Sequence, residues 1–145
     1  IKSDGTNKIW FLDKETQKEK RAIQAYSHDR ALKQLNELEL IKGKLGNDLD
    51  TQAGYDAAKR CALSIVAQAK KACSDDLSKI KSCVKLTGFV NSTDDFIEQP
   101  KVINGASDLI ASIFGDAGMH TRAAVSTNSL PLGVAVEVDA IFELN

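Results

Sequence analysis

Val134-Ala135-Val136-Glu137-Val138-Asp139-Ala140-Ile141-Phe142-Glu143-Leu144 is the stretch on which the fold turns. Val134, Val136, Val138, Ala140, Phe142 and Leu144 alternate with Ala135, Glu137, Asp139, Ile141 and Glu143. Successive side chains of a strand point to opposite faces, so one face here is wholly apolar and the other carries carboxylates. Such a strand covers a core on one side and meets a polar surface on the other.

Working back from it, Leu130-Pro131-Leu132-Gly133 reads as a turn and Thr121 to Thr127 as a strand. Ile80 to Val90 has the same two-residue period, with Val84, Leu86, Gly88 and Val90 on one face and Cys83, Lys85, Thr87 and Phe89 on the other. One helix precedes the Ile80 strand and a second follows it. Asp48 or Asp50 caps the first, which runs to about Cys73. Its apolar stripe is Ala53, Ala57, Cys61, Ile65, Ala69 and Ala72, broadened by Ala58, Ala62 and Val66, and its small side chains suit close packing on a sheet. Asn91 to Asp95 offers caps for a short helical turn, and Pro100 sits in the first turn of the second helix. There Val102, Ala106, Leu109, Ile110 and Ile113 form the buried stripe, and Gly115 ends it.

Upstream, Lys8 to Leu12 and Arg21 to Tyr26 read as strands around a polar loop. Asp29 to Leu38 reads as a short helix, and Leu38 to Ile41 as a strand closed by Gly43 and Gly46. Strand, strand, helix, strand, helix, strand, strand gives an α+β sandwich with two helices on one sheet face.

The 145 residues suit one domain with a sizeable core, taken as residues 1–145, in which 46–145 reads clearly and 1–45 atypically. Nineteen basic residues against twenty acidic ones leave a formal net charge of −1, which argues against a nucleic-acid or anionic-lipid surface. No apolar run reaches the roughly 20 residues of a membrane span, and the first residues lack the order of a secretory signal. Cys61, Cys73 and Cys83 have no metal-binding spacing and no histidine cluster beside them. Buried reduced thiols are the simpler reading, and they favour a cytoplasmic setting.

The candidate chemistry lies near the C-terminus. Glu137 and Asp139 share a strand face, and Arg122 lies on the preceding strand. If those two strands pair as a hairpin, the guanidinium faces the carboxylates and a substrate carboxylate could be gripped beside a water-activating group. The plainer alternative is a solvated sheet face with cross-strand ion pairs. His120 reads as a loop residue, because no nucleophile with a third partner is evident in the sequence. Gly43-Lys44-Leu45-Gly46 is too short for a phosphate loop.

Specific runs go further. His120-Thr121-Arg122-Ala123-Ala124-Val125, then Leu130-Pro131-Leu132-Gly133-Val134-Ala135-Val136-Glu137-Val138-Asp139-Ala140-Ile141, resemble the Rid (YjgF) family, also labelled endoribonuclease L-PSP or reactive intermediate imine deaminase. Val84 to Asn91 and Gln99 to Ala106 support the likeness, which resembles a longer-chain subgroup and covers about Gly46 to Leu144. The resemblance implies a chorismate-mutase-like fold with a mixed, mainly antiparallel sheet, assembled as a homotrimer with ligand clefts between subunits. It implies that Arg122 holds the carboxylate of a 2-imino acid and that Glu137 positions the attacking water. Ala124 stands where the family often has a Cys, and Phe89 and Tyr26 are the further substrate-binding candidates, Tyr26 as an aromatic wall of the cleft. The products are a 2-keto acid and ammonia, and no metal or organic cofactor is called for. The first third departs from the family: where a Ser-Gly-Gln type strand is expected, Ala25 to Arg30 and a Leu-rich run stand instead. A non-catalytic trimer that binds small carboxylates or proteins is the alternative. An endoribonuclease ranks below both, since the chain lacks a basic stripe.

Overall fold

In a computed structural model, residues 40–145 are described in full, and of the first 39 the backbone of two strands, β1 (Thr6–Leu12) and β2 (Glu19–Tyr26). The helix expected over Asp29 to Leu38 lies outside the described residues. The remaining elements are α1 (Thr51–Ala72), β3 (Ile80–Asn91), α2 (Gln99–Phe114), β4 (Thr121–Thr127) and β5 (Val136–Leu144). The strands form one sheet in the order β1-β2-β5-β3-β4. Every neighbouring pair is antiparallel except β3 and β4, which run parallel.

The alternation in β5 holds from Val136 onward. Val136, Val138, Ala140 and Phe142 are buried, while Glu137, Asp139, Ile141 and Glu143 are only partly covered. Val138, Ala140 and Phe142 are fully buried in one cluster with Ile65 of α1 and Ile103 and Ile110 of α2, so both helices lie on this face. Ala135 departs from the expected alternation: it is fully buried, ahead of the strand proper, where its N–H donates to the Ile41 carbonyl. The strand expected over Leu38 to Ile41 is not formed at Leu40 and Ile41. This segment makes isolated bridges instead, Lys42 to Val134 and Leu45 to Ser92, and buries Leu45 completely.

β3 also departs from simple alternation. Cys83 pairs with Phe142 and Lys85 with Ile141, so Val84 is an extra residue opposite a single step of β5. The bulge moves Cys83 to the core and leaves Val84 exposed, the reverse of the two-residue period read along the sequence. Beyond it Leu86, Gly88 and Val90 face the helices as expected.

α1 begins at the Asp50 cap, whose carboxylate accepts the Ala53 N–H at 2.8 Å, and ends with Lys70 and Lys71 in its last turn. Its small residues serve a helix as much as the sheet. A Cβ on Gly105 of α2 would collide with the backbone carbonyl of Tyr55, so α1 and α2 nearly touch there. The Tyr55 hydroxyl donates to Asp108 at 2.9 Å across the same contact. In α2 Ile103 is in the core, whereas Ile113 is exposed. Asn91 ends β3 and the following residues form a turn rather than a helical one. No helix of the described residues is long and apolar enough to cross a membrane.

Candidate active site

The site residues are placed by the order of β5, β3 and β4. β4 is an edge strand, and β3 stands between it and β5. Arg122 and Glu137 therefore do not meet in a hairpin. Arg122 is opposite Leu86, a core-facing residue, and so lies on the helix side of the sheet. Glu137 is opposite Phe89 and lies on the open side, as does Asp139 opposite Thr87. Ala124, opposite Gly88, shares Arg122's side and packs on the core. Tyr26 is paired with Asp139 at the end of β2. The five site candidates thus fall into two groups: Arg122 and Ala124 on the helix side of the β4 edge, and Phe89 and Glu137 on the open side with the Tyr26 register position beside Asp139.

Arg122 is held from α2. Its Nη1 donates to Ser107 Oγ at 3.0 Å and its Nη2 to the Pro100 carbonyl at 3.4 Å. Both anchors belong to α2, and the side chain is exposed, so the three donors left of its five are open to a ligand. A fork fixed in this way suits a carboxylate, which accepts two parallel hydrogen bonds.

Ser107 is the residue that sequence reasoning missed. Its Oγ also lies 3.0 Å from His120 Nε2, and His120 Nδ1 lies 2.6 Å from the Gly118 carbonyl. A guanidinium only donates and a carbonyl only accepts, so Nδ1 carries a proton toward Gly118, and in the neutral ring Ser107 gives its own proton to Nε2. His120 stands in the loop before β4, as expected, and there has a hydroxyl partner and an orienting carbonyl that the sequence did not reveal. The signal was the placement of Ser107 at mid-helix, which says nothing until α2 is docked beside β4.

On the open face the Glu137 carboxylate has no hydrogen-bond partner among the described residues. Asp139 accepts from Thr87, yet burial outweighs that bond and the charge of Lys85 and pushes its carboxyl upward from the ordinary value. The three cysteines are buried and form no disulfide with one another, and burial pushes the Cys83 thiol up to about 12. No group of three or more potential metal ligands occurs among the described residues. Lys44 is spent on structure: its ammonium donates to Asn91 Oδ1 at 3.0 Å and to the Asn128 carbonyl, so it is not free to hold a phosphate.

With this geometry in place, comparison with known proteins is informative. The profile of the family described as "YjgF/chorismate mutase-like, putative endoribonuclease" matches residues 27–144. A profile of glutamine cyclotransferase matches residues 1–49. Protein TCP17 of Trypanosoma cruzi is 52% identical over 106 residues, which are 72% of this chain and 66% of that protein, just under two thirds of its length. The crystal structure of Atu1372 from Agrobacterium tumefaciens, a protein of unknown function, is 37% identical with a TM-score of 0.77 and covers 94% of this chain and 82% of that one. A Shewanella oneidensis protein with the endoribonuclease label is 31% identical with a TM-score of 0.75 and covers 93% and 83% of the two chains.

Proposed function

This chain belongs to the YjgF/chorismate-mutase-like (Rid) family, and from that membership we propose that it hydrolyses reactive 2-imino acids to 2-keto acids and ammonia. The observation that carries the reading is Arg122, fixed by Ser107 and Pro100 with its remaining donors exposed at a sheet edge. A 2-imino acid offers the matching carboxylate, and its C=N carbon, next to that carboxylate, is already electrophilic. Binding the carboxylate orients that carbon for attack by water. Neither a metal nor an organic cofactor is required by this chemistry.

In this reading Glu137 positions the water, and because it stands on the other face of the sheet from Arg122 it comes from a second copy of the chain. A homotrimer with clefts between copies brings the edge of one sheet to the open face of the next. Phe89 and Ala124, with Tyr26, line that cleft. The single-domain assignment and the cytoplasmic setting belong to the same proposal, and the argument rests on residues 46–145. Ammonia release from 2-iminobutanoate generated in situ tests the reaction, and light scattering tests the trimer.

A carboxylate-binding module without turnover is the second reading. The separation of Arg122 from Glu137 within one chain favours it, since an isolated chain then holds an anion but not the water-positioning group. Binding of 2-ketobutyrate without acceleration of imine hydrolysis distinguishes it.

A further inference from the structure

We propose that Ser107 and His120 form the proton relay of the Arg122 site, a role nothing in the family resemblance assigns to either residue. The inference rests on the imine-hydrolysis reading and names the group that takes the water's proton.

The argument is an accounting of Ser107's hydrogen-bonding capacity. A hydroxyl has one proton to give and two lone pairs to share. The Arg122 Nη1–H occupies one lone pair, and with the ring neutral and its proton on Nδ1 the Ser107 proton goes to His120 Nε2. One lone pair remains open among the described residues. A water that donates to it sits beside the guanidinium that holds the substrate carboxylate, and so beside the carbon to be attacked. Ser107 is half-buried, reachable yet held in place. His120 is oriented in turn by the Gly118 carbonyl, a base fixed by a third group. Glu137, on the opposite face of this chain's sheet, has no such connection to Arg122.

The proton balance closes. In the protonated imine the water oxygen bonds to carbon as the C=N pair returns to nitrogen. One water proton moves to Ser107 Oγ while the Ser107 proton moves to His120 Nε2. The imidazolium returns its proton along the same path to the amine of the carbinolamine. The C–N bond then breaks as the carbinol oxygen forms the keto group, and the hydroxyl proton leaves with ammonia as ammonium. Arg122 keeps its charge throughout. On α2 and the turn before His120 the other charged groups are Lys101, which pairs with Glu98, Asp108, which accepts a hydrogen bond from the Tyr55 hydroxyl, and Asp116.

Two experiments decide the matter. Nitrogen-15 NMR of the ligand-free protein reads the His120 ring directly, with His120→Gln for assignment. Protonated Nδ1 and bare Nε2 are expected, and a proton on Nε2 overturns the relay whatever the substrate. Steady-state kinetics on 2-iminobutanoate come second. His120→Ala lowers kcat about 100-fold, the lower end for general acid–base groups, with KM within about twofold, whereas Ser107→Ala lowers kcat as much and also raises KM, because it releases an anchor of Arg122. Added imidazole restores His120→Ala at least tenfold, and Ser107→Thr recovers most of what Ser107→Ala loses. Wild-type kcat in His120→Ala, or a loss confined to KM, overturns the relay while leaving imine hydrolysis intact. A folded wild-type protein without activity on imines overturns both.

Discussion

Arg122 and Glu137 occupy opposite faces of one sheet, with β3 lying between the strands that carry them. A site that uses both draws them from different chains, and that is open to test by mixing. Arg122→Ala and Glu137→Gln subunits are each inactive alone, but co-assembled in equal amounts they regain activity at roughly one quarter of their sites, those pairing an intact Arg122 with an intact Glu137. Absence of recovery in mixed trimers confirmed by mass spectrometry would show that the two residues do not share a site across copies.

Gly105 carries the close approach of the two helices. Any side chain there meets the Tyr55 carbonyl, a backbone atom with little room to yield. Gly105→Ala therefore destabilises the protein by about 1–3 kcal/mol, in the range for overpacking, despite alanine's better helix propensity. Urea denaturation measures it, and an unchanged midpoint would mean that the helices are further apart than the structure places them.

Cys83 makes stability fall in alkali. Burial raises its pKa to about 12 from the ordinary 9.0, so the folded state keeps the thiol proton where the unfolded chain has lost it. The contribution is whole below pH 9 and is lost as pH rises from there toward about 12. Cys83→Ala removes that part of the alkaline loss, which thermal melts from pH 8 to 11 would read as a flatter slope. The native thiol also resists iodoacetamide at pH 8 and reacts on unfolding.

Asp139 gives a second sign. Its carboxyl is raised chiefly by burial, so the folded state favours the protonated form over the charged one present at neutral pH. The stability associated with the proton is present below the unfolded pKa and is lost as pH rises through the folded one. Asp139→Asn should raise the melting temperature at pH 7, by a margin that shrinks as pH is lowered into the carboxylate range. A gain independent of pH would mean that the effect is not one of charge.

The sequence made most of this architecture legible, because the amphipathic periods of α1, α2 and β5 are direct consequences of a layered core. Thr51–Ala72 was readable to within a residue or two from a cap and a stripe. What escaped were features set by pairing. The bulge at Val84 inverts Cys83 and Val84 relative to a two-residue period, and nothing local in the sequence marks it. The hairpin of β4 with β5 is the simplest connection over a short turn, yet β5 enters between β2 and β3, where Phe142 and Val138 have both helices above them. That insertion carries Glu137 away from Arg122 and leaves Arg122 to α2. For the same reason Ser107 and His120, thirteen residues apart in different elements, become partners only through the tertiary fold. Arg122, Ala124, Phe89 and Glu137 could be named from the family runs, but not the face on which each stands.

The central claim is that Arg122 anchors an imine for hydrolysis. Its most direct test follows ammonia and keto-acid release when purified protein is added to 2-iminobutanoate or 2-iminopropanoate generated in situ, with Arg122→Ala beside the wild type. The predicted result is acceleration by the wild type and a loss of about 100-fold or more in kcat/KM for Arg122→Ala, about 2.7 kcal/mol of transition-state binding, with an unchanged melting temperature because the side chain is exposed. Equal acceleration by both proteins, or none from a folded wild-type trimer, would contradict it.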